Sequence, residues 1–302
     1  MLETPKTPDG TRIYAIGDIH GRADLLCELH TKIATDLAKR PVASGVLIHL
    51  GDYIDRGPSS KKVIDHLIEK PLTGLETINL KGNHEESLLS FYKNSEYGNN
   101  WLLNGGGETL KSYGIEVSDD PFQESLYLDE IHANFLNHLP ETHLAFLNNF
   151  VLQHREGDYL FVHAGLRPGV ALESQSDEDL MWIRSDFLFS DADFGFMVVH
   201  GHSPRPTPVV RSNRIGIDTM AYRSGCLTCL VLEGTERHFI STEVKRDRMD
   251  GPFSTLQKIF GPTGKLCLRL SEKMRMPLSM PRPISGPIEN LSRRRLRKTG
   301  QS

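Results

Sequence analysis

What most constrains this chain is a pattern that recurs three times before residue 94: an apolar run rich in β-branched residues, a polar Gly-containing turn, and a stretch with helical periodicity. The runs are 11–16, 45–50 and 75–80, and the helical stretches are 23–39, 59–70 and 85–93. Ser59 or Ser60, after the Gly57-Pro58 turn, is placed to cap the second helix. Strand, loop and helix at this spacing imply an α/β fold with a parallel sheet. Ligands of such sheets sit beyond the carboxyl ends of the strands, so the three loops are expected to converge.

Residues 101–150 read as largely helical, with Leu102, Leu110, Phe135, Leu139, Leu144 and Phe146 as core positions and Gly105-Gly106-Gly107 as a break. Short strands follow at 159–163, 194–199, 209–211, 215–218 and 225–232, and a hairpin through Glu233-Gly234-Thr235 leads into 236–244. Being short and turn-linked, they are expected to build a second, mixed sheet packed on the first. The fold class is therefore α/β, with two mixed sheets in a sandwich flanked by helices. With 38% hydrophobic residues the chain can bury a real core.

The three loops read Gly17-Asp18-Ile19-His20-Gly21, Gly51-Asp52-Tyr53-Ile54-Asp55-Arg56-Gly57 and Gly82-Asn83-His84-Glu85. Each opens with Gly-Asp or Gly-Asn directly after a strand and so delivers an oxygen donor to the strand's end. Two later strands end in His163-Ala164-Gly165 and His200-Gly201-His202-Ser203-Pro204. Carboxylate, amide and imidazole donors gathered on a few loops suit divalent Mn, Fe or Zn better than Ca or Mg, which prefer all-oxygen shells.

These five motifs in this order resemble the metallophosphoesterases, and more narrowly the phosphoprotein phosphatase family of Ser/Thr phosphatases in its bacterial and bacteriophage lambda branch. The resemblance implies a calcineurin-like catalytic domain over residues 11–244 holding two divalent ions, Mn foremost with Fe or Zn as the other candidates. Asp18 and His20 would hold the first ion, Asp52 would bridge both, and Asn83, His163 and His202 would complete the second shell. A hydroxide shared by the ions would be the nucleophile. His84 would protonate the departing Ser or Thr oxygen, Asp55 would orient His84, and Arg56 with Arg184 would clamp the phosphoryl oxygens. The Gly-His-x-Pro pattern favours His202 as the ligand and leaves His200 structural, with Asp218 a turn residue beside the site. The segment Trp101 to Thr109 also resembles one in bacterial members; it either lines the cleft or is simply a glycine turn entering a helix.

Two other functions share these motifs. A dinucleoside polyphosphate hydrolase has the same metal shell, although Asp55 and Glu85 favour the protein phosphatase. A phosphoprotein-binding pseudophosphatase would be expected to lack a ligand or the acid, and neither is missing. Cys226 and Cys229 are three apart on a strand and without a second pair, so packing is expected rather than zinc.

The formal charge of −4 divides unevenly: residues 245–302 hold 14 Lys and Arg against 4 Asp and Glu, a tail of +10 on a body of −14. That tail, rich in Pro, Gly and Ser, reads as poorly ordered, and Arg293-Arg294-Arg295-Leu296-Arg297-Lys298 would draw an acidic partner, nucleic acid or anionic lipid to it. Four scattered cysteines and the absence of an apolar run at the amino terminus are what a cytoplasmic protein is expected to show.

Overall fold

The structure is a computed structural model and describes residues 4–118 and 127–243. The basic tail and Val244 lie outside the described residues.

β1 (Thr11–Ile16), β2 (Ser44–His49) and β3 (Glu76–Asn79) run parallel, with Ile13 beside Val46 and Ile48 beside Ile78. Side chains alternate across a strand, so each run feeds two cores. Tyr14, Ile16 and Leu47 meet helices α1 (Ala23–Lys39), α2 (Ser60–Glu69) and α3 (Asn83–Lys93) through Leu26, Leu29, Ile64 and Leu88. Ile13, Ala15, Val46 and Ile48 turn the other way, into the sandwich. The helical stretch that follows comprises α4 (Gly98–Trp101), a π-turn at Leu102–Gly106, α5 (Gly107–Ser112), α6 (Leu128–His138) and α7 (Glu141–Asn148). It adds Trp101, Leu110 and Phe135 to the helix-side core.

The second sheet has the order β4-β5-β6-β8-β7, from β4 (Gln153–Glu156), β5 (Tyr159–Val162), β6 (Met197–His200), β7 (Val209–Val210) and β8 (Arg214–Gly216). Tyr159, Phe161, Met197, Val199 and Ile215 close the sandwich core from its inner face. Its outer face is covered by α8 (Asp177–Trp182) and α9 (Ser185–Leu188), with Leu180 and Phe187 against Leu160, Val162 and Val198.

Two assignments change. The last hairpin, β9 (Thr228–Glu233) and β10 (Glu236–Ser241), belongs to the first sheet, whose order is β10-β9-β1-β2-β3 with β9 antiparallel to β1. The reason is burial: β1 is covered on both faces and needs a neighbour along each edge, and β9 supplies Leu230 and Leu232 to the sandwich and Cys229 and Val231 to the helices. β4 is the other surprise. Gln-His-Arg-Glu carries no apolar signal, and a half-exposed edge strand needs none. Among the described residues no helix is long and apolar enough to cross a membrane.

The two sheets come close together where β1 ends. A Cβ on Gly17 would run into the Ile217 carbonyl, just past β8. Gly17→Ala is therefore expected to lower stability by about 1–3 kcal/mol, the usual cost of overpacking, read as a reduced urea midpoint with an unchanged slope.

Candidate active site

Among the described residues six non-glycine positions have left-handed backbone, and five of them, His20, Asp52, Asp55, Arg56 and His202, are residues the motifs single out. Such φ values cost about 1–2 kcal/mol each for an L-residue, so the surroundings must impose them. Glu85 does much of that. Its side chain is wholly buried and accepts from the N–H groups of Asp52 (2.9 Å), Tyr53 (2.9 Å) and Gly82 (3.0 Å), binding the second loop to the third. α3 starts at Asn83, two residues earlier than its periodicity implies, which puts Asn83 and His84 in its first turn facing Asp52.

Asp52 is the hub. Its carboxylate lies 3.5 Å from His20 Nε2, 3.4 Å from His163 Nε2 and 3.8 Å from His84 Nε2. His20, Asp52 and His84 form one close donor cluster, and Asp52, His163 and His202 another. His20 Nδ1 donates to the Ile54 carbonyl at 2.8 Å and His163 Nδ1 to that of Leu50 at 2.8 Å, which leaves each Nε2 as an acceptor turned inward. Asn83 Oδ1 is 3.0 Å from His163 Nε2. His202 Nε2 is buried and has no hydrogen-bond partner. Burial pushes His20 down to about 3 and His202 down to about 2, and also holds His163 below its usual value, so all three are neutral donors. Asp18 accepts from the His202 N–H, and burial together with Asp218 and Asp52 pushes its carboxyl well up. An orphaned imidazole nitrogen, two inward lone pairs and carboxylates forced together in a dry site fit divalent transition ions.

His84 differs from the other three imidazoles. Burial alone would lower it, but Asp52 and a 2.6 Å bond from Nδ1 to Asp55 Oδ2 outweigh burial and raise it to about 9. Although it stands in a donor cluster, it is therefore equipped to carry a proton. Asp55 is itself held from all sides: Trp101 Nε1 donates to Oδ2 (2.9 Å), Thr109 Oγ1 donates to Oδ1 (2.6 Å), and the Asp55 N–H reaches Ser60 Oγ (3.0 Å). Trp101 and Thr109 thus act through Asp55, and the glycines between them serve the same end. Gly105, at φ 104°, accepts from the Arg56 N–H, and a Cβ on Gly106 would strike the Trp101 indole. Ser60 faces Asp55, and Ser59 makes no side-chain cap, so neither serine caps α2.

Arg56 points its two terminal nitrogens at His20 Nε2 (2.9 Å) and His84 Nε2 (3.1 Å). Arg184 stands exposed between α8 and α9 on a cavity of about 350 Å³ shared with Trp182, whose ring lies 6.3 Å from that of His202. Its charge contributes to lowering His163 and His202. His200 bonds the Gly201 carbonyl and packs edge-on against Phe187, away from Asp52. Asp218 caps a tight turn through the Met220 N–H and sits beside Asp18. Cys229 is buried in the helix-side core. Sequence reasoning missed Tyr222, in the one-turn helix α10 (Ala221–Ser224): its ring is 5.4 Å from that of His20 and lies 5.2 Å from the Arg56 guanidinium carbon. A lone aromatic in a short loop carries no periodicity that would have marked it.

The model of the calcineurin-like phosphoesterases matches residues 11–226, and the chain belongs to that family. It is 35% identical over 117 residues to serine/threonine-protein phosphatase 2 of Escherichia coli K12, covering 38% of this chain and 46% of that one. It is 29% identical over 194 residues to the symmetrical bis(5'-nucleosyl)-tetraphosphatase of Nitrosomonas europaea, covering 63% and 59%. The chain thus spans about half the length of these relatives. The fold also resembles a solved structure provisionally named a diadenosine tetraphosphatase, with a TM-score of 0.52 and 19% identity over 78% of this chain and 99% of that one. Members of this family are metallophosphoesterases that work with a dinuclear metal centre.

Removing the Asp55 charge removes support for the imidazolium. In metal-free Asp55→Asn the His84 pKa, followed by NMR titration, is expected to fall from about 9 towards the ordinary 6.5. Asp52→Asn is expected to abolish metal-supported activity and to bind less than half the metal of the parent protein by elemental analysis. Unchanged stoichiometry would remove Asp52 from the shell.

Proposed function

We propose that this protein is a phosphomonoesterase acting on phosphorylated Ser and Thr side chains, akin to the bacterial and lambda-type protein phosphatases. The observation that carries the reading is the buried His84–Asp55 pair, 2.6 Å apart, in which His84 is raised to about 9. An alkoxide leaves badly and needs a proton as the P–O bond breaks, and a positioned acid contributes about 10²–10⁴-fold. A nucleotide leaving as a phosphate needs no such help.

Asp18, His20 and Asp52 would hold one ion, with Asn83, His163 and His202 completing the shell of a second around the shared Asp52; Mn is the ion we favour. Bound divalent ions supply Lewis-acid polarisation of the phosphoryl group and an ionised water at neutral pH. The chain's own part is to keep the imidazoles neutral by burial and in one tautomer through Ile54 and Leu50, to clamp the phosphoryl oxygens with Arg56 and Arg184, and to deliver the His84 proton to the departing oxygen. The name of the Escherichia coli relative supports a protein substrate. A dinucleoside polyphosphate hydrolase is the second reading, supported by the Nitrosomonas relative and by a 26% match to the asymmetrical tetraphosphatase PrpE of Bacillus mycoides, which covers 71% of this chain and 88% of that one. The cysteine pattern favours a cytoplasmic setting. The +10 tail supports an electrostatic role towards an acidic partner, nucleic acid or anionic lipid.

The assay is Mn-loaded protein on a phosphoserine peptide, an aryl phosphate and a dinucleoside tetraphosphate. The peptide is expected to turn over, and His84→Asn is expected to lose about 10²–10⁴-fold on it but far less on the aryl ester, whose phenolate leaves unprotonated. Strong preference for the dinucleotide would move the protein to the second reading, and no turnover of any substrate would leave a binding protein only.

A further inference from the structure

We propose that Tyr222 positions Arg56 for the phosphoryl group. The inference rests on the clamp assigned to Arg56 above, which both phosphomonoester and polyphosphate readings share.

Among the described residues the hydrogen bonds of the Arg56 guanidinium go to the Nε2 atoms of His20 and His84. In the loaded site proposed above the His20 lone pair would serve an ion, so that bond to Arg56 would be given up. An arginine side chain carries about 2 kcal/mol of rotamer entropy, so a guanidinium stripped of that partner would wander more. Apart from the charges of Asp18 and Asp218, what lies beside it is the Tyr222 ring, face to the guanidinium at 5.2 Å and edge-on to His20 at 5.4 Å. Those contacts use no lone pair that the chemistry needs.

The ring is itself held firmly. α10 is one turn, entered through the left-handed Met220 at φ 58° and left through Gly225 at φ 70°. The Met220 N–H donates to Asp218 Oδ1 (2.9 Å), Arg22 Nη1 to the Ala221 carbonyl (3.0 Å) and Ser224 Oγ to that of Thr219 (2.7 Å). Met220 is the one left-handed non-glycine residue among those described that lies outside the motif loops. A strained, well-tied turn that presents one half-buried aromatic to the site is explained by a task for that aromatic.

The test compares Tyr222→Phe, Tyr222→Leu and Arg56→Ala with the parent as Mn-loaded full-length proteins. Inorganic phosphate is the probe, titrated calorimetrically, alongside kcat and KM on an aryl phosphate. Tyr222→Leu is expected to keep its metal content and melting temperature, to weaken phosphate binding about tenfold, and to raise KM with kcat within about threefold, as a cation–π contact of this kind allows. Tyr222→Phe should restore both, and adding Tyr222→Leu to Arg56→Ala should change nothing further. Undiminished phosphate affinity in Tyr222→Leu, loss of metal from it, or the same loss in the Arg56→Ala background would each overturn the proposal. The substrate class is judged by the panel above and does not enter this result.

Discussion

The Glu85 carboxylate, fully buried, gathers the N–H groups of Asp52, Tyr53 and Gly82, and the rest of the site depends on that gathering. These donors, with a longer bond from the Ile54 N–H (3.4 Å), converge on one carboxyl group and fix the loop after β2 against the start of α3, so Asp52, Asn83 and His84 meet although two strands deliver them. The left-handed turn at Asp52 is held by its N–H bond to Glu85, and those at Asp55 and Arg56 by N–H bonds to Ser60 Oγ and the Gly105 carbonyl. A carboxylate without metal contact is thus as structurally decisive as the ones that face the centre.

The same logic sorts the imidazoles. His20, His163, His202 and His84 share one small buried volume around Asp52, yet three are depressed and one is raised. Burial depresses His20 and His163, while Asp52 and then Asp55 outweigh it at His84, and the partner of the second ring nitrogen adds to that contrast. A backbone carbonyl at Ile54 or Leu50 fixes a neutral tautomer, whereas the Asp55 carboxylate stabilises an imidazolium. Donor and acid are made from one residue type by the partner behind it.

Much of this was legible in the sequence. The donors Asp18, His20, Asp52, Asn83, His163 and His202 could be found because strand-end loops carry short, ordered signatures, and the paired sheets follow from runs such as Val46–Leu47–Ile48. The less legible parts depend on three-dimensional partners. Nothing in Trp101 or Thr109 announces a bond to Asp55, some fifty residues earlier. Ser60 has the spacing of a helix cap and uses its hydroxyl elsewhere. β4 is polar because it lies at an edge, and β9 was assigned to the wrong sheet because pairing with β1 is decided by burial across the whole chain.

That last pairing bears on how the protein is made. β1 begins at Thr11, and its neighbour β9 ends at Glu233, with Arg12 opposite Glu233. Much of a chain emerging from the ribosome therefore carries a central strand with one open edge. Closing it spans more than two hundred residues, and contacts so distant in sequence form slowly. During that interval the nascent chain exposes the kind of edge that aggregates or recruits chaperones, so the last hairpin to be synthesised is also the one that seals the first sheet.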